Sequence, residues 1–220
     1  MNNIANRVSQ IQGWIEKQNL NALIISHADE YLSEYVPPEN ERLAWATGFT
    51  GSAGLAIITS EKRAVFVDGR YTVQVKEQVD SSLYETLHIK DSLWTQWIEQ
   101  NLQSNAKIGY DPRLHQASWE ENAKKLLEDN FNLVPIDENP IDFFWKERPQ
   151  PNENKALLLN EKYTGKSSED KRKALGNTIT KNKCDAAFIT QLDSIAWLLN
   201  IRGNDVPCNP VLLCHGLLHA

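Results

Sequence analysis

Residues 41–71 read ERLAWATGFTGSAGLAIITSEKRAVFVDGRY. Gly48, Gly51 and Gly54 interrupt a run that is otherwise apolar or small. That spacing suits a turn needing positive φ and close backbone approach. Leu55-Ala56-Ile57-Ile58 then reads as a short buried strand, and Ala64-Val65-Phe66-Val67 as a second of similar length. The polar Thr59-Ser60-Glu61-Lys62 between them makes the pair a hairpin. The second strand ends on Asp68-Gly69-Arg70-Tyr71, and Thr72–Val79 is expected to continue as a helix. A charged tip directly after a buried strand is where α/β proteins commonly place working residues.

Upstream, Ile4, Val8, Ile11 and Ile15 recur at helical spacing, with Trp14 widening the stripe. Asn19 ends that helix, and Ala22-Leu23-Ile24-Ile25 follows as a buried strand. Residues 26–38 are polar and close on Pro37-Pro38, which predicts a loop. His27 and Asp29 lie in it, but two candidate ligands do not make a metal site. Glu41–Ala46 is a short helical turn into the glycines.

Downstream, Tyr84–Ile89 reads as a strand. Leu93, Trp94, Trp97, Ile98 and Leu102 form an amphipathic helix, with Asp91 or Ser92 as its cap. Lys107–Tyr110 is a strand, Asp111-Pro112 a turn, and Ser118 the cap of a helix through Ala123, Leu126 and Leu127. Asn132–Ile136 is a further strand. Strands alternating with helices predict an α/β domain, a mixed sheet flanked by helices.

Residues 139–155 hold Pro140, Pro149 and Pro151 among many polar residues and are the natural domain boundary. The expected division is 1–150 and 151–220, with residues 141–145 packing back as a short helix. Beyond it, residues 166–175 begin a helix with Ser167 and Ser168 near the cap and Glu169 and Asp170 in the first turn. Its Lys/Arg run reads as a solvated face. Ala186–Thr190 is a strand, Ser194–Leu199 a short helix capped by Asp193, and Val211–Cys214 the start of another strand. The opening order of the first domain recurs here, which predicts the first part of a second, similar α/β unit.

The 220 residues carry a net charge of −6, which argues against a nucleic-acid surface. Hydrophobic residues at 41% and charged residues at 24% are ordinary for a globular protein. The opening MNNIANRVSQIQGWI lacks a signal-peptide layout, and no apolar run approaches the ~20 residues of a membrane span. Cys184, Cys208 and Cys214 form no CxxC pair, so free thiols in a reducing cytoplasm are expected. The seven Trp read as core or interface anchors. Gly48–Gly54 has no Gly-Lys-Ser/Thr and precedes a strand, so it is no phosphate loop. Ser52 stands in no GxSxG elbow, and no cysteine has a paired histidine at meaningful spacing.

The stretch 41–71 closely resembles the amino-terminal domain of Xaa-Pro aminopeptidases (aminopeptidase P, in the creatinase/prolidase superfamily). Three further segments resemble the same family: Ser33-Glu34-Tyr35-Val36-Pro37-Pro38, Tyr163-Thr164-Gly165, and residues 192–203, LDSIAWLLNIRG. Their order and spacing fit the three-domain form. Arg202-Gly203-Asn204-Asp205 ahead of Asn209-Pro210 resembles the family's RGSD-type loop, with Asn204 where Ser is common. Arg202 and Asp205 are expected to serve structure, paired with each other, rather than to face a cleft.

The resemblance implies a creatinase-like amino-terminal domain over 1–150 and part of a second such domain over 151–220. The parent function implied is removal of the residue preceding proline, using two divalent metal ions, manganese expected. In the family two Asp, one His and two Glu hold the metals, all in a carboxy-terminal catalytic domain. Of this chain's His27, His88, His115, His215 and His219, none lies in a stretch resembling those segments. The expectation is therefore a portion with no catalytic residues, no metal and no activity of its own.

Its implied partners are a peptide with proline second, its own catalytic domain and a second subunit. Neither nucleic acid nor membrane is expected as a partner. Arg70 and Tyr71 are the candidate substrate contacts, because the superfamily's amino-terminal domain helps wall the cleft. A guanidinium can hold a carboxylate or carbonyls bidentately. The competing structural readings are a salt bridge of Arg70 to Asp68 or another local carboxylate, and simple packing of Tyr71. The alternative function is a non-catalytic module that binds peptides or proteins on the same architecture. Creatinase and prolidase themselves, with one amino-terminal domain, fit the 163–203 segment poorly.

Overall fold

The hairpin between Gly54 and Val67 supplies two inner strands of a six-stranded mixed sheet in a computed structural model that describes residues 3–89 and 93–220. The caps expected at Asp91 and Ser92 fall outside those residues. The chain divides into two units. The first comprises residues up to Glu34 with Glu39–Arg148; the second comprises Tyr35–Pro38 with Pro149–Ala220.

In the first unit the order is α1 (Ile4–Lys17), β1 (Ala22–Ser26), α2 (Arg42–Thr47), β2 (Gly54–Thr59), β3 (Arg63–Val67) and α3 (Gln74–Gln78). It continues with β4 (Glu85–His88), α4 (Trp94–Asn101), β5 (Lys107–Tyr110), α5 (Ala117–Leu127), β6 (Asn132–Pro135) and α6 (Pro140–Phe144). The sheet runs β4-β3-β2-β1-β5-β6. β2 is antiparallel to both neighbours, and every other pairing is parallel. The carboxyl ends of β1, β3, β4, β5 and β6 therefore share one edge of the sheet, where α/β sheets place ligand sites.

Both faces of the sheet are covered, which is why its central strands are apolar at successive positions. One face carries Leu23, Ile25, Ala56, Ile58, Val65 and Val67 against Val8, Ile11 and Ile15 of α1 and Leu43 and Trp45 of α2. The other carries Ile24, Ile57, Phe66 and Ile108 against Trp94, Trp97 and Ile98 of α4 and Ala123 and Leu127 of α5. Full burial of each large side chain contributes about 1.5–3 kcal/mol. Asn3 caps α1, its side-chain oxygen accepting from the Asn6 N–H at 3.0 Å.

The second unit contains β7 (Leu157–Leu158), α7 (Glu161–Thr164), α8 (Ser168–Lys181), β8 (Ala186–Ile189), α9 (Leu192–Leu199), β9 (Ile201–Arg202) and β10 (Gly216–His219). β7 pairs antiparallel with β9, and β8 with β10. Ser167 caps α8 by accepting from the Asp170 N–H.

Several local expectations are corrected. The helix after β3 is shortened to Gln74–Gln78 because a turn, closed by the Tyr71 N–H on the Asp68 carbonyl at 3.0 Å, uses up the preceding residues. Ser118 lies inside α5, whose cap position is Gln116. Asp193 lies in the first turn of α9 and accepts from the Ser194 N–H at 2.9 Å, the helix having begun at Leu192. Residues 211–214 are not a strand: the Asp205 carboxylate takes the Leu213 N–H at 2.8 Å, and pairing starts at Gly216. Arg202 and Asp205 are engaged with backbone rather than with each other, Arg202 donating to the Ile201 carbonyl at 2.8 Å. Within the Lys/Arg run of α8, Lys171 is 4% exposed. Its Nζ donates to the Trp197 carbonyl at 2.9 Å and to Asn200 Oδ1 at 2.6 Å.

Candidate functional site

The glycine stretch prepares the tip that follows β3. Gly48 closes α2 at φ +85°, and a Cβ there would stand 2.9 Å from Ile4 Cδ1 and 3.0 Å from the Gln78 carbonyl oxygen. At Gly51 a Cβ would meet Phe49 Cζ at 2.3 Å and Tyr71 Cδ1 at 2.7 Å. Absence of that carbon lets Phe49 and Tyr71 meet edge to face, 5.5 Å between centroids. The Tyr71 hydroxyl lies 2.8 Å from Ser52 Oγ. Tyr71 is thus packed on one side and hydrogen-bonded at its end.

Arg70 is held by its own turn. Nε and Nη2 donate to Asp68 Oδ2 at 3.0 and 2.8 Å, and the Arg70 backbone N–H donates to Oδ1 at 2.9 Å. Nη1 lies 3.5 Å from Glu34 Oε1, and the guanidinium sits 5.2 Å above the Tyr71 ring. Its hydrogen bonds hold the Asp68 carboxyl below the usual carboxylate range, while Asp68 raises the guanidinium pKa. The side chain is still 58% exposed. Chemically this is a guanidinium flanked by two carboxylates, with a planar donor face at the surface able to offer N–H groups to a carbonyl or carboxylate. The Asp68 salt bridge weighed from sequence is present, and Glu34 is a second carboxylate that sequence reading missed.

A cleft of about 410 Å³ opens beside this tip, lined by Val67, Thr72, Val75, Lys76, Thr86, Leu87 and His88. His88 Nε2 would lie 3.4 Å from a Cβ on Gly69, which places the cleft against the Asp-Gly-Arg turn. Apolar walls with a few polar groups are the usual make-up of a ligand pocket.

Elsewhere along the carboxyl edge, arginines are matched to carboxylates. Buried Arg42 bonds Asp142 through Nε at 2.7 Å and Glu30 through Nη2 at 2.9 Å, and Arg148 Nη1 reaches Asp142 at 3.0 Å. Arg113 and Asp111 form a second such pair. His115 stacks on Trp119 at 3.7 Å, and burial lowers its pKa to about 4, so the ring is neutral. Asp29 is fully buried and accepts from the Tyr31 N–H at 2.9 Å. Among the described residues no group of three or more His, Cys, Asp or Glu is arranged to hold a metal ion.

Comparison with known proteins gives the following. The creatinase/prolidase N-terminal domain family matches residues 7–142, and a second family of the same description matches residues 147–220. The chain is 34% identical, over 98% of its length, to a protein of Laccaria bicolor named "Probable Xaa-Pro aminopeptidase P", of which it covers 34%. It is 33% identical, again over 98% of its length, to Xaa-Pro aminopeptidase 2 of Rattus norvegicus, of which it covers 33%. It spans about a third of the length of these curated relatives. Among solved structures, an X-prolyl aminopeptidase of Caenorhabditis elegans, described as a cytosolic enzyme with a di-nuclear active site, superposes with a TM-score of 0.90. That match has 27% identity and covers 99% of this chain and 38% of the other. No helix among the described residues is long and apolar enough to cross a membrane.

Proposed function

We propose a function for this chain, which belongs to the creatinase/prolidase N-terminal domain family: it is the non-catalytic, amino-terminal portion of a metal-dependent Xaa-Pro aminopeptidase. The observation that carries the reading is similarity over almost the whole chain to Xaa-Pro aminopeptidases about three times as long. The domain division at about residue 150, with the metal-binding catalytic domain supplied by further sequence, is part of the same proposal. So are a cytoplasmic location, a second subunit, and two divalent ions, manganese by preference, in the whole enzyme.

Within that enzyme Arg70 contacts the peptide, and Tyr71 lines the same wall. Proline as the second residue presents a tertiary amide and a ring, so it needs a shaped cleft rather than a backbone N–H contact. A surface guanidinium fixed by Asp68 and Glu34 is a pre-oriented donor for a peptide carbonyl or carboxylate. The cleft next to it supplies apolar wall.

The test is hydrolysis of an Xaa-Pro peptide with and without manganese. The 220-residue chain alone is expected to be inactive. Fused to the part of the Caenorhabditis elegans enzyme that it does not cover, it is expected to support hydrolysis. Activity of the chain alone would overturn the assignment of the chemistry to another domain. A folded, metal-loaded but inactive fusion would favour a peptide- or protein-binding module.

A further inference from the structure

The cleft beside the Asp68-Gly69-Arg70 turn lies between α3 and the carboxyl ends of β3 and β4, and encloses about 410 Å³. Val67, Val75 and Leu87 supply an aliphatic wall. Thr72 and Thr86 supply hydroxyls, His88 an imidazole and Lys76 an ammonium. Among the described residues that line it there is no carboxylate and no side-chain amide. In a chain with 29 Asp and Glu against 23 Lys and Arg, such a lining runs against the overall charge. The carboxylates nearby are turned elsewhere. Asp68 holds the Arg70 backbone N–H, Nε and Nη2, and Glu34 reaches Nη1. Glu85, at the start of β4, accepts from Trp97 Nε1 at 2.9 Å, and Asp80 accepts from the Ser82 N–H and hydroxyl at 2.8 and 2.7 Å. Glu77 follows Lys76 on α3, but adjacent residues of a helix do not face each other. Lys76 itself is exposed beside buried Val75, and its Nζ pairs with none of the described residues.

An ammonium only donates hydrogen bonds, and threonine hydroxyls and an imidazole N–H donate as well. The group that complements this lining accepts only, and carries a short aliphatic stem. A glutamate or aspartate side chain answers that description, its methylenes against Val67, Val75 and Leu87 and its carboxylate toward Lys76. We propose that this cleft receives an acidic side chain of the peptide, carboxyl-terminal to the proline, and that Lys76 selects it. The inference rests on the reading of Arg70 as a peptide contact. In that reading the free amino terminus and the Xaa–Pro bond are held at metal ions in another domain. The part of the peptide left for Arg70 and the cleft beside it then lies beyond the proline. Arg70 is already flanked by two carboxylates and attracts a third less strongly than unmatched Lys76 does.

The experiment compares amidated peptides that differ by one charge: Ala-Pro-Glu-Ala against Ala-Pro-Gln-Ala, and Ala-Pro-Ala-Glu against Ala-Pro-Ala-Gln. Glu and Gln match in shape, and amidation removes the terminal carboxylate. In the active fusion, KM is expected to be about threefold lower for Glu than for Gln at one of these positions, the size that an exposed ion pair allows. High salt should shrink the ratio. Lys76→Met keeps the aliphatic stem and should bring the ratio to one. Lys76→Arg should retain it, and Lys76→Glu should invert it.

Equal KM values at both positions, or a Glu preference that survives K76M, would overturn the inference. So would a preference confined to Glu-Pro-Ala-Ala over Gln-Pro-Ala-Ala, which puts the acid before the proline. Titrating the same peptides into the 220-residue chain separates this inference from the reading beneath it. Larger shifts of the Thr86 and Leu87 amide signals with Glu than with Gln, lost in K76M, would uphold the cleft even with an inactive fusion or an unchanged KM in R70A. Equal shifts together with an inactive fusion would overturn it.

Discussion

The two units spend their apolar residues differently. In the first, β1, β2 and β3 are covered on both faces, and Phe66, Ile57 and Ile58 have no exposed surface. In the second, Phe188 and Leu217 are cross-strand partners on β8 and β10, yet they are 67% and 62% exposed. Leu157, Leu158, Tyr163 and Trp197 are exposed as well. The contrast extends to charge. The first unit buries Arg42 against Asp142 and Glu30, while the second buries one lysine on neutral oxygens. The first unit thus encloses its apolar residues and carries a charged tip at a sheet edge, whereas the second leaves several large apolar side chains exposed.

The sharpest way to break this comparison is a matched pair of core truncations. Phe66→Ala should cost the first unit about 3–5 kcal/mol, because it leaves a cavity under α4. Leu217→Ala should cost the second unit no more than about 0.5 kcal/mol, as expected for an exposed site. Urea denaturation followed by amide signals assigned to each unit measures both; equal losses would erase the distinction.

A second pair concerns the polar groups. Asp142→Ala leaves the buried Arg42 guanidinium with only Glu30, and about 3 kcal/mol of stability should go, at the low end for a broken buried pair. Lys171→Met orphans Asn200 Oδ1 and leaves the Trp197 carbonyl only the Asn200 N–H at 3.4 Å, which should cost about 1–2 kcal/mol in the second unit alone. The same denaturation curves check the order.

The third comparison uses pH. Burial depresses the His115 pKa to about 4, so the folded first unit binds fewer protons than the unfolded chain. Its contribution is complete above the ordinary histidine value and is lost as pH falls from about 6.5 toward 4. The first unit should be about 2 kcal/mol less stable at pH 5 than at pH 7 from this group, and His115→Phe should flatten that slope. Thermal unfolding across that range reads it directly.

What could be read from the chain was what is local in it. The hairpin and α1 follow from residues a few positions apart: two apolar runs joined by a polar turn, and apolar residues at the helix period of 3.6. Caps shifted by a residue or two, as at Ser118 and Asp193, because several polar residues in a row offer equivalent starts. Residues 211–214 look like a strand by composition, but Asp205, eight residues earlier, claims the Leu213 N–H. The tip itself was legible, since Asp68 and Arg70 are two residues apart. Arg42 and Asp142 are 100 residues apart, and His27 meets Glu41 only because the loop turns back. Long-range polar pairing has no period, so no pattern in one sequence announces it.

The most direct measurement is Xaa-Pro peptide hydrolysis by the active fusion carrying Arg70→Ala, with KM and kcat separated. The account predicts that KM rises about tenfold, the loss of one charge-assisted hydrogen bond, while kcat and manganese dependence stay near those of the unaltered fusion. An unchanged KM, with the Asp68 turn intact, would contradict it and leave Arg70 as a structural member of its turn.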